Sequence, residues 1–114
     1  MTIRQIAIRL IELSELQQFS QARKELFNEN AICIEAGIKP ITGLKALDEK
    51  EKSWRASFEA IHVLKISRPL INGNFFSIAF SWDMTYRGKE RSQWKEIAIF
   101  EVKGEKIVFE QFFY

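Results

Sequence analysis

The closing segment EIAIFEVKGEKIVFEQFFY, Glu96 to Tyr114, alternates apolar and polar residues on both sides of a Gly104-Glu105 turn. Period two is the spacing of a strand with two unlike faces, because successive side chains leave a pleated backbone on opposite sides. Two such runs across a tight turn make a β-hairpin. A hairpin that closes the chain is expected to belong to the core, since removing it would leave a sheet edge open. The same period runs back from there. Strands are expected at about 60–71, 74–87, 90–103 and 106–114, joined by short turns.

Upstream the period is 3.6. Ile3, Ile6, Ala7, Leu10, Leu13 and Leu16 form one apolar stripe, widened by Ile8 and Ile11, and predict an amphipathic helix over 3–16. Residues 19–27 read as a second helix burying Ala22, Leu26 and Phe27, with Asn28 and Asn30 favouring a stop. AICIE, 31–35, reads as a short strand, followed by a loop holding Gly37, Pro40 and Gly43. Thr42 is the expected cap of a third helix over 44–58, with Leu47, Glu51, Trp54 and Phe58 on one side. Helices first and strands afterwards argue for one α+β domain, residues 1–114, with the helices laid on one face of a mainly antiparallel sheet.

At 114 residues the chain can bury a core without crosslinks. Ten Phe and three Trp suit a curved sheet around a cavity, or a surface shared with a second copy. Charge is scattered and nearly balanced, 17 basic against 15 acidic, which argues against a nucleic-acid partner. The single Cys33 excludes an internal disulfide and a cysteine-based zinc site, and fits a reducing compartment and a small core residue. Arg4, Gln5, Arg9 and Glu12 interrupt the apolar residues of the first helix, so it reads as neither signal peptide nor membrane span. The cytoplasm is the expected location, with no membrane partner. There is no Gly-rich phosphate loop, metal-spaced His and Cys cluster or nucleophile elbow, so neither a cofactor nor a metal is expected.

Turn chemistry carries the pattern one step further. Asn72-Gly73 is a strong hairpin signal, because a type I′ turn needs positive φ at both central residues. Two-residue loops at Asn72-Gly73, Gly88-Lys89 and Gly104-Glu105 place His62 opposite Asp83, Asp83 opposite Trp94, and Ala98 opposite Gln111. One face then collects His62, Asp83, Trp94, Glu96 and Gln111 among Leu64, Ile66, Phe100, Val102, Ile107 and Phe109. The other collects Val63, Phe76, Ile78, Phe80, Trp82, Ile97, Ile99 and Phe112. Both faces are apolar, and three helices can cover only one of them. A homodimer joined through the outer sheet face is therefore expected. A three-residue loop or a bulge at any turn reverses the parity of everything beyond it.

The order of helices, the TGLKAL segment (Thr42–Leu47) and the closing hairpin resemble the SnoaL-like branch of the nuclear transport factor 2-like superfamily. In that family a strand ends in an E-I-x-x-Y/F-x-V stretch, a two-residue turn follows, and a G-K-I-V-x-E-x-F-like strand closes the sheet. Here these are Glu96-Ile97-Ala98-Ile99-Phe100-Glu101-Val102 and Lys106-Ile107-Val108-Phe109-Glu110-Gln111-Phe112, with Gly104-Glu105 replacing the usual Asp-Gly turn. The resemblance spans nearly the whole chain. It implies a cone-shaped α+β barrel, a central pocket between helices and concave sheet, and frequent dimers. It implies no single activity, since the family includes isomerases, polyketide cyclases, epoxide hydrolases and non-catalytic modules.

Candidate site residues follow from the first face. His62, the one histidine, oriented by Asp83, has the makings of a general base; the alternative is an imidazole merely satisfied by a carboxylate. Glu96, within the family-like stretch, is expected to have a raised pKa in an apolar cavity and to transfer protons; the alternative is a salt bridge to a helix lysine or arginine, such as Arg23 or Arg55. Trp54 and Trp94 are candidate walls for a flat ligand, or plain core, and Gln111 a candidate hydrogen-bond partner for a ligand carbonyl, or for a buried backbone group. Glu110 reads as interface or rim, Trp82 as a dimer anchor, Glu35 as a solvated charge near the pocket mouth, and DEKEK (Asp48–Lys52) as the wet side of a helix. Two functions fit: a pocket protein for a small, largely apolar ligand, with cofactor-free acid–base chemistry if it is an enzyme, or a non-catalytic dimeric interaction module.

Overall fold

The computed structural model describes every residue, Met1–Tyr114. Helix α1 (Ile3–Glu15) opens with a capping box, in which the Thr2 hydroxyl accepts from the Gln5 amide while the Gln5 side chain accepts from the Thr2 amide. Its buried stripe is Ile6, Ala7, Leu10, Leu13 and Ser14. Gln17, at φ 57°, turns the chain into α2 (Phe19–Leu26), which buries Ala22 and Leu26. Strand β1 (Phe27–Ile34) begins earlier than the sequence suggests, and Phe27 belongs to it rather than to the helix. A two-residue strand β2 (Ile41–Thr42) follows, so Thr42 is not the cap of α3 (Leu44–Ala56). That position falls to Gly43, at φ 96°, whose amide bonds the Ala31 carbonyl at 2.9 Å. No helix is long and apolar enough to cross a membrane.

The remaining strands are β3 (Phe58–Ile66), β4 (Leu70–Asn72), β5 (Phe75–Tyr86), β6 (Arg91–Lys103) and β7 (Lys106–Phe113). They join in the order β2-β1-β7-β6-β5-β3, with β4 also pairing β5; β1 runs parallel to β7 and every other pair is antiparallel. The expected strand over 60–71 is broken because Pro69 has no amide for the ladder. Ser67 bridges the break: its amide bonds the Ala79 carbonyl at 2.9 Å and its hydroxyl accepts from the Ala79 amide at 2.8 Å.

Register departs from the two-residue count in four places. At the first turn the loop is Gly73-Asn74, with positive φ at Gly73 alone, and Asn72 pairs with Phe75. At the second, the ends close around Arg87, Gly88 and Lys89, so that Thr85 pairs with Arg91, Trp82 with Trp94 and Asp83 with Gln93. The Gly104-Glu105 turn does have two residues, both at positive φ, as a type I′ turn requires. A bulge then intervenes: Val102 pairs with Ile107 but Glu101 with Phe109, leaving Val108 without an opposite residue. A further bulge lies at His62, between the Ile61–Met84 and Val63–Asp83 pairs.

These shifts re-sort the faces. Phe76, Ile78, Phe80, Trp82 and Phe112, counted outward from the sequence, lie on the helix-covered side, where the first four are buried. Leu64, Ile66, Phe100, Val102 and Ile107 face inward as expected, and Phe109 does not. The outer face is a patchwork in place of a second continuous apolar surface. Ile97, 50% exposed, pairs with Phe113, 47% exposed, while Ser77, Ser81, Lys95 and Glu101 interrupt the apolar positions.

Candidate functional site

Between the helices and the concave side of the sheet lies an open-mouthed cavity of about 640 Å³. Leu10, Phe19, Ala22, Leu47 and Trp54 supply its helical side, while Phe80, Trp82, Trp94, Phe100 and Phe112 supply the floor. The indoles are contiguous. Trp82 stacks on Trp94 at 5.6 Å between ring centres, and Trp54 meets Trp82 edge-on at 5.5 Å. Phe19 closes on Trp54 at 5.8 Å and Tyr114 on Trp94 at 6.2 Å. The Trp94 indole N–H is buried without a hydrogen-bond partner.

Four carboxylates and two cations punctuate this lining. The Arg23 guanidinium is closed onto Glu51 and Asp48, and Arg55 reaches Glu51 from the next helical turn. Lys50 pairs with Glu35 at 2.9 Å, stands 3.5 Å from the Cys33 sulfur, and lies 5.3 Å over the Phe112 ring. Glu96 and Glu110 form no ion pair. Glu96 is 8% exposed and its Oε1 accepts from the Trp82 indole N–H at 3.2 Å. Burial pushes its carboxyl up to about 7, a rise that the Trp82 bond opposes and that Glu35 and Glu110 reinforce. Glu110, 5% exposed, is raised as well, first by desolvation, with the Arg23 charge working in the opposite direction. Beside it lies the Cys33 thiol, itself pushed up to about 12 by burial.

The sequence-derived candidates divide cleanly. Trp54, Trp94 and Glu96 are brought together in the cavity wall, and Glu96 has neither Arg23 nor Arg55 as an ion-pair partner. His62, Asp83 and Gln111 are not in that wall. His62 is exposed on the outer side of its bulge and shares a 2.7 Å hydrogen bond with Thr85 Oγ1. Asp83 points the same way and is covered by its neighbours, accepting two 2.7 Å bonds from Arg91 and a longer one from Gln93. Arg91 thus clamps Asp83 and holds its carboxyl down at about 2. The expected His62–Asp83 hydrogen bond does not form, because each side chain has another partner. Gln111 lies opposite Ile99 on the outer face, carried there by the Val108 bulge.

Sequence reasoning missed Trp82, Glu110, Lys50 and Glu35 as parts of the lining. Parity concealed the first two. Lys50 and Glu35 resemble solvated charges because their pairing crosses from α3 to the end of β1, which no local pattern records. No three or more His, Cys, Asp or Glu side chains cluster as a metal site would require.

Helices laid over one side of a curved mixed sheet, with a chamber between them, define the nuclear transport factor 2-like fold. The chain belongs to the SnoaL-like domain family, whose model matches residues 1–114. Among solved structures, a Mesorhizobium loti protein provisionally named a SnoaL-like polyketide cyclase is 29% identical, with all of both chains covered and a TM-score of 0.92. A Burkholderia pseudomallei nuclear transport factor 2-like protein of unknown function is 7% identical, with 100% of this chain and 92% of that one covered and a TM-score of 0.84. A Catenulispora acidiphila protein of ketosteroid isomerase-like fold, in complex with trimethylamine, is 16% identical, with coverage of 95% and 84% and a TM-score of 0.78. The comparison with curated proteins gives no match.

Proposed function

We propose that this protein binds a small, flat, largely apolar molecule bearing one or two polar groups in the chamber beneath its helices, and that Glu96 transfers a proton to or from it without a cofactor. The observation that carries this reading is a carboxyl poised at about 7 among three tryptophans. Near neutrality such a group is present in both protonation states, which suits a general acid or base. The reaction class is isomerisation, cyclisation or hydrolysis. Trp54, Trp82 and Trp94 would hold the ligand by area and stacking. His62, Asp83 and Gln111 have no part in this chemistry, since none reaches the lining. The volume of about 640 Å³ favours a pocket over the alternative of a closed structural network.

Association of two copies through the outer face belongs to the same reading, supported by the exposed Ile97, Phe113 and Phe75. The pocket is tested by screening aromatic ketones, lactones and epoxides for quenching of tryptophan fluorescence, then for turnover. Trp54→Ala should weaken binding at least about tenfold, about 1.4 kcal/mol. Glu96→Gln should abolish turnover while leaving the binding of neutral ligands within a few fold. Turnover that survives Glu96→Gln would remove Glu96 from the reaction.

A further inference from the structure

We infer that the polar group this chamber selects is a cation: an ammonium or quaternary ammonium substituent, seated against the indoles of Trp54, Trp82 and Trp94 and faced by the carboxylates of Glu96 and Glu110. The inference rests on the pocket reading above and specifies its ligand class. It begins from how charge is matched inside the lining. Both protein cations are committed, Arg23 to Glu51 and Asp48, and Lys50 to Glu35. Two carboxylates remain without a counter-charge, and both are more than nine-tenths buried. Glu110 has a thiol, a weak donor, beside it, and the nearby Arg23 and Lys50 are paired with other carboxylates. A buried carboxylate with no partner is costly, so it stays protonated or meets a positive charge brought from outside.

The aromatic wall selects the same sign. Indole faces are negative, and a cation near them is attracted without forming a hydrogen bond. Three contiguous indoles and two unmatched acids are thus complementary to one kind of group. A ligand anion would find no counter-charge in either acid, and cations already neutralised. A neutral ligand would leave both acids as they are. With a cation bound, Glu96 remains ionised, so its part in proton transfer becomes that of a base.

The test uses a pair of isosteres, 4-(trimethylammonio)benzyl alcohol and 4-tert-butylbenzyl alcohol, titrated into the full chain by calorimetry at pH 8. The cation should bind at least about tenfold more tightly than its neutral twin. Its affinity should fall on going to pH 5, as Glu96 takes up a proton, whereas that of the neutral alcohol should not. The groups facing these acids are the Trp82 indole on β5, Glu35 and Cys33 at β1, Arg23 on α2 and Lys50 on α3. Glu96→Gln with Glu110→Gln should erase the preference. If that double variant loses its native circular dichroism, Glu110→Gln alone should reduce the preference several-fold. Equal binding of the twins, or tighter binding of the neutral one, overturns the inference and leaves the pocket reading intact. Binding of neither at millimolar concentration sinks both.

Discussion

Replacing Glu96 by glutamine keeps the shape of the side chain and removes its titration. In the unfolded chain this carboxyl titrates near 4.5, and in the folded protein burial raises it to about 7. Between those values the folded state binds the proton more tightly than the unfolded state, so stability must fall as pH rises through that window. Each tenfold difference in proton affinity is worth about 1.4 kcal/mol, so the gap amounts to roughly 3 kcal/mol. The assay is urea unfolding of the parent and Glu96→Gln proteins at half-unit steps from pH 4 to pH 8.5, with linear extrapolation to water. A new hydrogen bond, or a lost one, at Trp82 shifts the variant by an amount independent of pH. The informative quantity is therefore the slope of the difference. Relative to the parent, the variant should gain stability from about pH 4.5 to pH 7, by roughly 3 kcal/mol in total, and the difference should level off above that. A difference that stays flat across the range would mean that Glu96 titrates alike in both states, and the account of a desolvated acid in the chamber would be wrong.

Two other outcomes follow from the outer side of the sheet. Arg91→Ala removes the guanidinium that clamps Asp83, so the carboxyl midpoint seen by carbon-13 NMR should climb from about 2 toward the ordinary 3.8. The clamp lowers the folded value, so what it adds to stability is present at neutral pH and fades as acid is added down to about pH 2. Ile97→Lys places a charge in the centre of the exposed apolar cluster with Phe113. Sedimentation equilibrium should find the parent protein dimeric at micromolar concentration and the variant's Kd raised by about thirtyfold, about 2 kcal/mol. A parent protein that sediments as a monomer would contradict the proposed association.

Much of the architecture is legible in period alone. The helices fall where the 3.6 spacing puts them, and the four long strands begin and end close to their predicted bounds, apart from the break at Pro69. Facing is harder to read, for a specific reason. Counting two-residue loops inverts β5 by itself. Its register is displaced by one residue against β3 and again against β6, so the two displacements cancel beyond it. Trp94, Glu96 and Phe100 thus point the way the count says, while Asp83 and Trp82 exchange places. In β7 the unpaired Val108 does to Gln111 and Glu110 what the turns do to β5. Neither irregularity has a local signature: Arg87-Gly88-Lys89 reads equally well as part of a shorter turn, and Val108 is an ordinary strand residue. The ion pairs that neutralise Arg23 and Lys50 join elements distant in sequence and are visible only once those elements are packed.

The tip at Arg87-Gly88-Lys89 has a consequence for how a chamber of this kind can diversify. Point substitution redecorates an interior one position at a time, each change having to survive on its own. A residue gained or lost at such a tip lengthens or shortens the loop and leaves the paired strands in register. Trp94 and Glu96 would stay inside, and Gln93 and Lys95 outside. Hairpin length at this end can therefore change without altering which residues line the chamber.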